Sequence, residues 1–398
     1  MINKAIVAHS GARDNYQIAN ILYQHGYLDK LVTDIIITKR FSNLMHVNRS
    51  NDILPLSMVN MPIKAILKLA QGLLSRDRLH YSGQIGNILS ITAYNIAKKH
   101  KSNLFLYHYD AYEAFNLAIN DSFPGKRILF QVHPHPKSII NILNTEIERV
   151  PFAKNSILNE FEFKFGTDYT DKLSAVSNMA DRIIVSSEFS RKTLMENGIP
   201  SSKINVIPYG VDTKVYPFKQ KTNTELPIKL IFIGSMIQRK GLADLLLAVE
   251  LLNTNKIQLT ICGRGQYDEN LLKRFSHLRN IKIKRNLSHF ELINEMHQSD
   301  IFVLPSLIEG FAHVILEAMS TGLPIITTAN TCGPDVIRDE FDGLICDIKN
   351  PTSIAEKIEW FIQNITNLPD MGKSASERSS YYSWKLFNNN IIKFYESM

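Results

Sequence analysis

Two carboxylates, Glu309 and Glu317, stand where a strand hands over to a helix, and carboxylates so placed accept hydrogen bonds from sugar or ribose hydroxyls. The run Ile301 to Leu304 is too short and too apolar for anything but a buried strand, and Pro305 cannot donate a ladder hydrogen bond. The chain therefore leaves the sheet at Pro305, and Glu309 falls on a loop. From about Phe311 the sequence turns helical and ends near Thr321 and Gly322 with Pro324 beyond, so Glu317 lies one or two turns inside a helix. Free amides at that helix start, around Ala312 and His313, attract phosphate. A carboxylate further along repels phosphate but suits hydroxyls, which is the pairing a nucleotide-sugar needs.

A second constellation is Phe232-Ile-Gly234-Ser235-Met-Ile-Gln-Arg239-Lys240-Gly241. A strand ends at Gly234, the backbone turns with no side chain in the way, and two cations follow where a leaving diphosphate would lie. Cys262-Gly263-Arg264-Gly265 reads as another glycine turn at a strand end, with Gly263 and Gly265 as turn-formers first and ligand contacts second. It is not a dinucleotide fingerprint, because Asp268 stands where the third glycine is required. The first strand opens into His9-Ser10-Gly11-Ala12-Arg13-Asp14-Asn15, which reads equally as a phosphate loop or as a polar helix start capped by Asp14 or Asn15. Gln131-Val-His133-Pro-His135-Pro136 follows a strand and should face the same crevice; two prolines and no third ligand nearby argue against metal.

The Glu309-to-Glu317 spacing resembles the E-x7-E motif of retaining glycosyltransferases of family four, which have the two-domain GT-B architecture. Pro305-Ser-Leu-Ile-Glu-Gly-Phe311 before the helix, Glu317-Ala-Met-Ser-Thr-Gly-Leu-Pro-Ile-Ile326 after it, and Gly333-Pro-Asp335 and Asp342-Gly-Leu344 beyond extend the match. Ala180 to Arg191 and Ile207-Pro-Tyr-Gly-Val-Asp212 look like the family's interdomain segment, with Tyr209 where asparagine is commoner. The resemblance implies an α/β fold of two Rossmann-like doubly wound domains facing each other across a cleft. It implies that Glu309 holds the donor sugar, Glu317 the ribose, and Lys240 the diphosphate. Ser235 occupies the family's usual Arg position, and Arg239 is the substitute; His133 matches the cleft histidine beside the transferred sugar. Gly11, Gly234, Ser235, Gly263, Arg264, Gly310, Phe311, Ala312 and Val314 complete the expected donor site, and only Gly11 remains of the family's glycine pair in the first loop. A front-face route, in which the leaving phosphate helps deprotonate the acceptor hydroxyl, is likewise what the resemblance implies. No Asp-x-Asp occurs, so neither a metal nor any cofactor beyond the co-substrate is expected.

Short apolar runs alternating with helical stretches support the same architecture. Strand candidates are Ala5 to Ala8, Leu104 to Tyr107, Ile128 to Val132, Arg182 to Val185 and Ile204 to Ile207, then Leu230 to Ile233, Gln258 to Cys262, Ile281 to Ile283, Ile301 to Leu304 and Ile325 to Thr327. The polar, proline-bracketed stretch 216–228 is the expected linker between an acceptor-side domain, 1–215, and a nucleotide-sugar domain, 229–375. Residues 376–398 are expected to cross back to the first domain, anchored by Trp384.

The 398 residues, 44% hydrophobic, suffice for two cores. Three cysteines without a C-x-x-C pair indicate neither a disulfide framework nor a zinc cage and fit a reducing cytoplasm. Neither a signal peptide nor an apolar run long enough to span a bilayer is apparent. The net charge of +7 sits wholly in the first hundred residues, with 12 Lys/Arg against 5 Asp/Glu. There, Ile63 to Arg78 sets Ile63, Ile66, Leu67, Ala70, Leu73 and Leu74 on one helical face and Lys64, Lys68, Gln71, Ser75 and Arg78 on the other. Such a helix is either a domain helix with a solvated cationic back or one lying on an anionic membrane surface.

The expected activity is transfer of a sugar, with retention, from a UDP-sugar in preference to a GDP-sugar onto a hydroxyl of a glycan or lipid-linked acceptor. Cell-surface polysaccharide synthesis, such as lipopolysaccharide or capsule, at the cytoplasmic face of the plasma membrane is the expected setting. A nucleotide-sugar epimerase, a phosphorylase and a non-catalytic scaffold of the same fold are the alternatives. No nucleic-acid-binding motif accompanies the basic first quarter, so nucleic acid is not an expected partner.

Overall fold

The computed structural model describes residues 3–37, 50–75, 78–164, 166–221 and 224–398. Two fully parallel sheets organise them. The first runs β3-β2-β1-β4-β5-β6-β7, from β1 (Ala5–Ala8), β2 (Leu28–Val32), β3 (Val59–Asn60), β4 (Asn103–Tyr107), β5 (Arg127–Gln131), β6 (Arg182–Val185) and β7 (Ile204–Val206). The second runs β10-β9-β8-β11-β12-β13, from β8 (Ile228–Met236), β9 (Ile257–Tyr267), β10 (Ile281–Arg285), β11 (Ile301–Leu304), β12 (Ile325–Thr328) and β13 (Gly343–Cys346). Each order starts in its middle, grows to one edge and then returns to grow to the other, the doubly wound pattern of a Rossmann-like domain. The central strands are buried along their whole length, as helices on both faces demand.

Three strands were not anticipated from the sequence. In β2, Asp29 and Lys30 interrupt the apolar run, and Asp29 is held by Ser102 Oγ at 2.5 Å and His100 Nδ1 at 2.9 Å. β3 is only two residues long, and β13 follows a turn without a clear apolar alternation. Two expected turns are also corrected. β8 continues past Gly234 to Met236 and β9 past Cys262 to Tyr267, pairing Gly234 with Gly263 and, across a bulge, Met236 with Tyr267. Met236 packs on Gly263, where a Cβ would come within 2.4 Å of its methyl carbon, so Cys262 and Gly263 are extended chain, while Gly265, with φ 90°, bends within the bulge.

The helices used below are α1 (Gln17–Gln24), α2 (Ile63–Leu74), α3 (Arg78–His100), α4 (Leu242–Leu252), α5 (His313–Thr321), α6 (Leu368–Ser379) and α7 (Trp384–Glu396). Neither Asp14 nor Asn15 caps α1; both have positive φ, as does Tyr16, and Asp14 instead accepts hydrogen bonds from Tyr107 at 3.0 Å and Tyr209 at 3.1 Å. α7 lies on the first sheet's domain: Tyr395 Oη donates to the Asn3 carbonyl at 2.6 Å, and Phe387 stacks on Tyr209 with ring centres 5.3 Å apart. Trp384, at its first position, packs against Tyr209, His313 and Phe387. Of the expected linker, Tyr216 to Lys221 lies against the second domain, with Lys221 bound to Asp300 at 2.6 Å, while Thr222 and Asn223 lie outside the described residues.

α2 overturns the expectation of a domain helix with its apolar face inward. Ile63, Leu67, Ala70, Leu73 and Leu74 are exposed, Ile66 is half-buried, and the buried side consists of Ala65 and Gly72 against α3. Arg76, Asp77 and the Arg78 side chain lie outside the described residues. Among the described residues no helix is long and apolar enough to cross a membrane.

Candidate active site

Parallel doubly wound sheets place ligands beyond the carboxyl ends of the strands where the order reverses. These points are β1/β4 in the first sheet and β8/β11 in the second, and a cavity of about 540 Å³ opens between them. Arg13 after β1, Tyr109 after β4 and His133 after β5 line it from one side. Ser235, Arg239 and Lys240 on β8 and beyond it, and Glu309 after β11, line it from the other. The volume falls in the range of about 300–1,000 Å³ that small-molecule sites occupy.

The Arg239-Lys240 turn is fixed on the end of β11. Gly241 has φ 70°, and a Cβ there would lie 1.9 Å from the Pro305 carbonyl oxygen, so only glycine permits the approach. The Leu307 amide donates to the Arg239 carbonyl at 2.9 Å, and the Glu309 amide to the Asn330 carbonyl at 2.9 Å. The same loop is latched to the first domain. A Cβ on Gly310 would lie 2.0 Å from the Val132 carbonyl oxygen, and the Gly310 carbonyl accepts from Ser187 Oγ at 2.6 Å and Ser190 Oγ at 3.2 Å.

Both cations are already compensated. Lys240 forms an ion pair with Glu309. Arg239 Nη1 lies 3.0 Å from Glu160, its Nε donates to the Ile308 carbonyl at 3.3 Å, and its Nη2 stands 3.5 Å from His133 Nδ1. Burial opposes ionisation of Glu309, but Lys240 and Arg239 outweigh it and hold the carboxyl below its usual range. Burial first, then Arg239 and Arg13, push His133 well below the ordinary imidazole value, so its ring is neutral at physiological pH. The site thus presents an ionised carboxylate, two fixed cations and a neutral imidazole to one cavity.

The structure brings together Glu309, Lys240, Arg239, His133 and Ser235 and leaves the other expected residues outside that cavity's lining. Gly11 borders an adjacent pocket, its amide donating to Asp34 at 3.1 Å. Gly234 and Gly263 are paired in the sheet, and Arg264 is exposed while its neighbour Gly265 lines the cavity. Gly310 is enclosed by the latch, and Phe311 is buried against Tyr209. Ala312 and Val314 are half-buried at the start of α5, where Ala312 takes φ 60° and His313 packs 4.3 Å from Tyr209. Glu317 is half-buried and bonded to the Tyr216 hydroxyl, and burial raises its carboxyl above the usual range.

Sequence reasoning missed the third wall of the cavity, contributed by Glu160, Phe161 and Tyr169 with Tyr109. Tyr109 meets His133 and Phe161 edge-on with ring centres 5.4 and 5.0 Å apart, and Phe161 meets Tyr169 at 5.2 Å. The signal was the alternation Glu160-Phe-Glu162-Phe163, unusual in a segment with neither strand nor long helical periodicity.

The family described as "Glycosyl transferases group 1" matches residues 215–378, and "Glycosyltransferase Family 4" matches residues 80–215. The chain belongs to the GT-B glycosyltransferases. This glycosyltransferase is 27% identical over 270 residues to an uncharacterized glycosyltransferase of Methanocaldococcus jannaschii, covering 66% of this chain and 69% of that one. It is 29% identical over 183 residues to an O-antigen biosynthesis glycosyltransferase of Escherichia coli, covering 43% of this chain and 49% of that one, so the second relative is matched over only about half its length. An Anabaena protein solved in complex with UDP and glucose superposes on this glycosyltransferase with a TM-score of 0.62 at 13% identity, covering 100% of both chains, a likeness of fold.

Proposed function

We propose that this glycosyltransferase moves a hexosyl group, with retention and without a metal, from a UDP-sugar to a hydroxyl of a glycan or lipid-linked acceptor in cell-surface polysaccharide synthesis. The observation that carries the reading is the convergence of Lys240, Arg239, Glu309 and His133 on one cavity between the two sheets. Negative charge grows on the diphosphate as the glycosidic bond breaks, and pre-placed cations stabilise it without reorganisation. Lys240 exchanges its Glu309 partner in part for the diphosphate, and Arg239, anchored by Glu160, supplies a second fixed charge. Glu309 then accepts hydrogen bonds from the donor sugar's hydroxyls. Neutral His133 accepts or donates a hydrogen bond beside the reacting sugar. Two fixed cations and the lack of Asp-x-Asp support a metal-free route.

UDP is preferred in this reading because the Anabaena protein of like fold was solved with UDP. The glycan or lipid-linked acceptor and the polysaccharide setting follow the O-antigen relative.

The test is thermal stability with UDP, GDP and ADP for wild type and Lys240→Ala, followed by proton NMR of the first transfer product. Ligand at a hundred times its dissociation constant adds about 2.7 kcal/mol. UDP should stabilise wild type and not the variant, and the product should keep the donor's anomeric configuration; failure of all three diphosphates, or inversion, would overturn the reading.

A further inference from the structure

Along α2, Ile63, Leu67, Ala70 and Leu74 recur at the spacing of one helical stripe, and that stripe faces outward. Ile63 is 74% exposed, Leu67 58% and Leu74 92%, with Leu73 beside them and Leu56 also exposed just before the helix. A helix serving only a domain core turns such a stripe inward. Here the inward side is made of small residues instead: Ala65 and Gly72 let α2 lie close on α3, and a Cβ on Gly72 would come 3.0 Å from the Cβ of Tyr81.

The charge around the stripe has one sign. α2 carries Lys64 and Lys68 and no acidic residue, and the first hundred residues of the chain hold seven more Lys/Arg than Asp/Glu. An apolar stripe with basic neighbours, long enough to lie in a bilayer interface and too short to cross it, matches the chemistry of an anionic lipid surface.

Position supplies the remaining argument. Behind α2 a pocket of about 220 Å³ runs between Leu69, Leu73 and Ile85 at its apolar end and Ser10 and Ser82, which also line the large cavity. This pocket therefore lies between α2 and the candidate active site, apolar at Leu69, Leu73 and Ile85 and sharing Ser10 and Ser82 with the large cavity.

We propose that the outward face of α2 docks this protein on an anionic bilayer, and that its acceptor is an amphiphile whose hydroxyl end reaches the cavity by way of the pocket behind α2. The acceptor clause rests on the transferase reading; the docking does not. Seated in this way, the stripe buries its leucines among acyl chains while Lys64 meets the lipid headgroups.

The experiment is sedimentation of the full chain with vesicles of phosphatidylcholine alone or mixed with phosphatidylglycerol, for wild type and a Leu67→Glu/Leu74→Glu variant, each also melted with and without UDP. Both substituted residues are exposed, so the variant should keep the wild-type melting temperature and the wild-type response to UDP. Wild type should partition onto the mixed vesicles, with the variant at least about ten-fold weaker. A soluble short glycan that replaces the amphiphile as acceptor at equal kcat/KM would overturn the acceptor clause. Wild type that ignores the mixed vesicles, that binds both vesicle types alike, or that is matched by the variant would overturn the docking. A UDP response without vesicle binding sinks the docking and leaves the transferase reading standing, and vesicle binding without a UDP response does the reverse.

Discussion

Arg239 of the second domain reaches across the cleft to Glu160 of the first, its Nη1 3.0 Å from the carboxylate, with both side chains largely withdrawn from water. The pair makes the position of a cation in the cavity depend on a residue 79 positions away in sequence. Breaking a buried pair from one side costs about 3–5 kcal/mol, because the remaining charge stays desolvated. Glu160→Ala should lower unfolding free energy by about that amount in urea titration. An unchanged midpoint would mean that water already screens the pair.

Lys240 and Glu309 separate binding from transfer. Lys240→Ala removes a charge that lines the cavity and, on the proposed reading, should reduce turnover by about 10²–10³-fold, the usual effect of deleting one transition-state donor. Glu309→Gln acts differently, since it releases Lys240 from its ion pair while removing the proposed sugar contact. Calorimetry should show UDP bound at least as tightly as by wild type, with transfer from the UDP-sugar strongly reduced. Weaker UDP binding in this variant would contradict the assignment.

Acid should destabilise the fold through its buried histidines. Burial lowers His9, His108 and His135 to about 4, and each is 1% exposed. Below the ordinary value near 6.5 the unfolded chain binds protons that the folded chain refuses, so stability is intact above that pH and falls as pH drops toward 4. Each such group contributes about 1.4 kcal/mol per pH unit in that window. Buried carboxyls act in the opposite sense, since burial raises Asp335 to about 6 and Asp14 and Asp110 above their usual range, so the histidine share is isolated by substitution. Thermal melts at half-unit pH intervals should show His108→Gln losing less stability than wild type between about pH 6.5 and 4, and equal slopes would refute it.

Gly310→Ala probes the latch between the domains. The added Cβ would meet the Val132 carbonyl oxygen, a backbone atom that cannot swing aside, so the Glu309 loop must shift. The expected result is destabilisation of about 1–3 kcal/mol, the range for overpacking, with a larger loss of UDP affinity than Val314→Ala produces. Equal affinities for the two variants would show that the latch does not position Glu309.

Much of the architecture was legible in the sequence because parallel strands buried on both faces are continuous apolar runs. Ala5–Ala8 and Ile301–Leu304 could be read directly. β2 could not, since Asp29 reads as a loop residue until Ser102 and His100 are seen to hold it. The Cys262–Gly265 stretch was only half legible. Glycines signal a turn locally, whereas pairing with β8 keeps Cys262 and Gly263 extended and leaves the bend to Gly265 at φ 90°.

By itself the sequence determined the chemical types at the site: two cations after β8, a carboxylate on the loop after β11, and a histidine after β5. Strand ends and their following loops are set by local pattern, so these residues could be named without a fold. Only the tertiary structure decided which of them share a cavity, that Glu160 and an aromatic wall join them, and that the apolar face of α2 looks outward. Those outcomes depend on how two separate sheets meet and on which helix faces find a partner. Contacts between residues far apart in the chain leave no periodicity for sequence reading to detect.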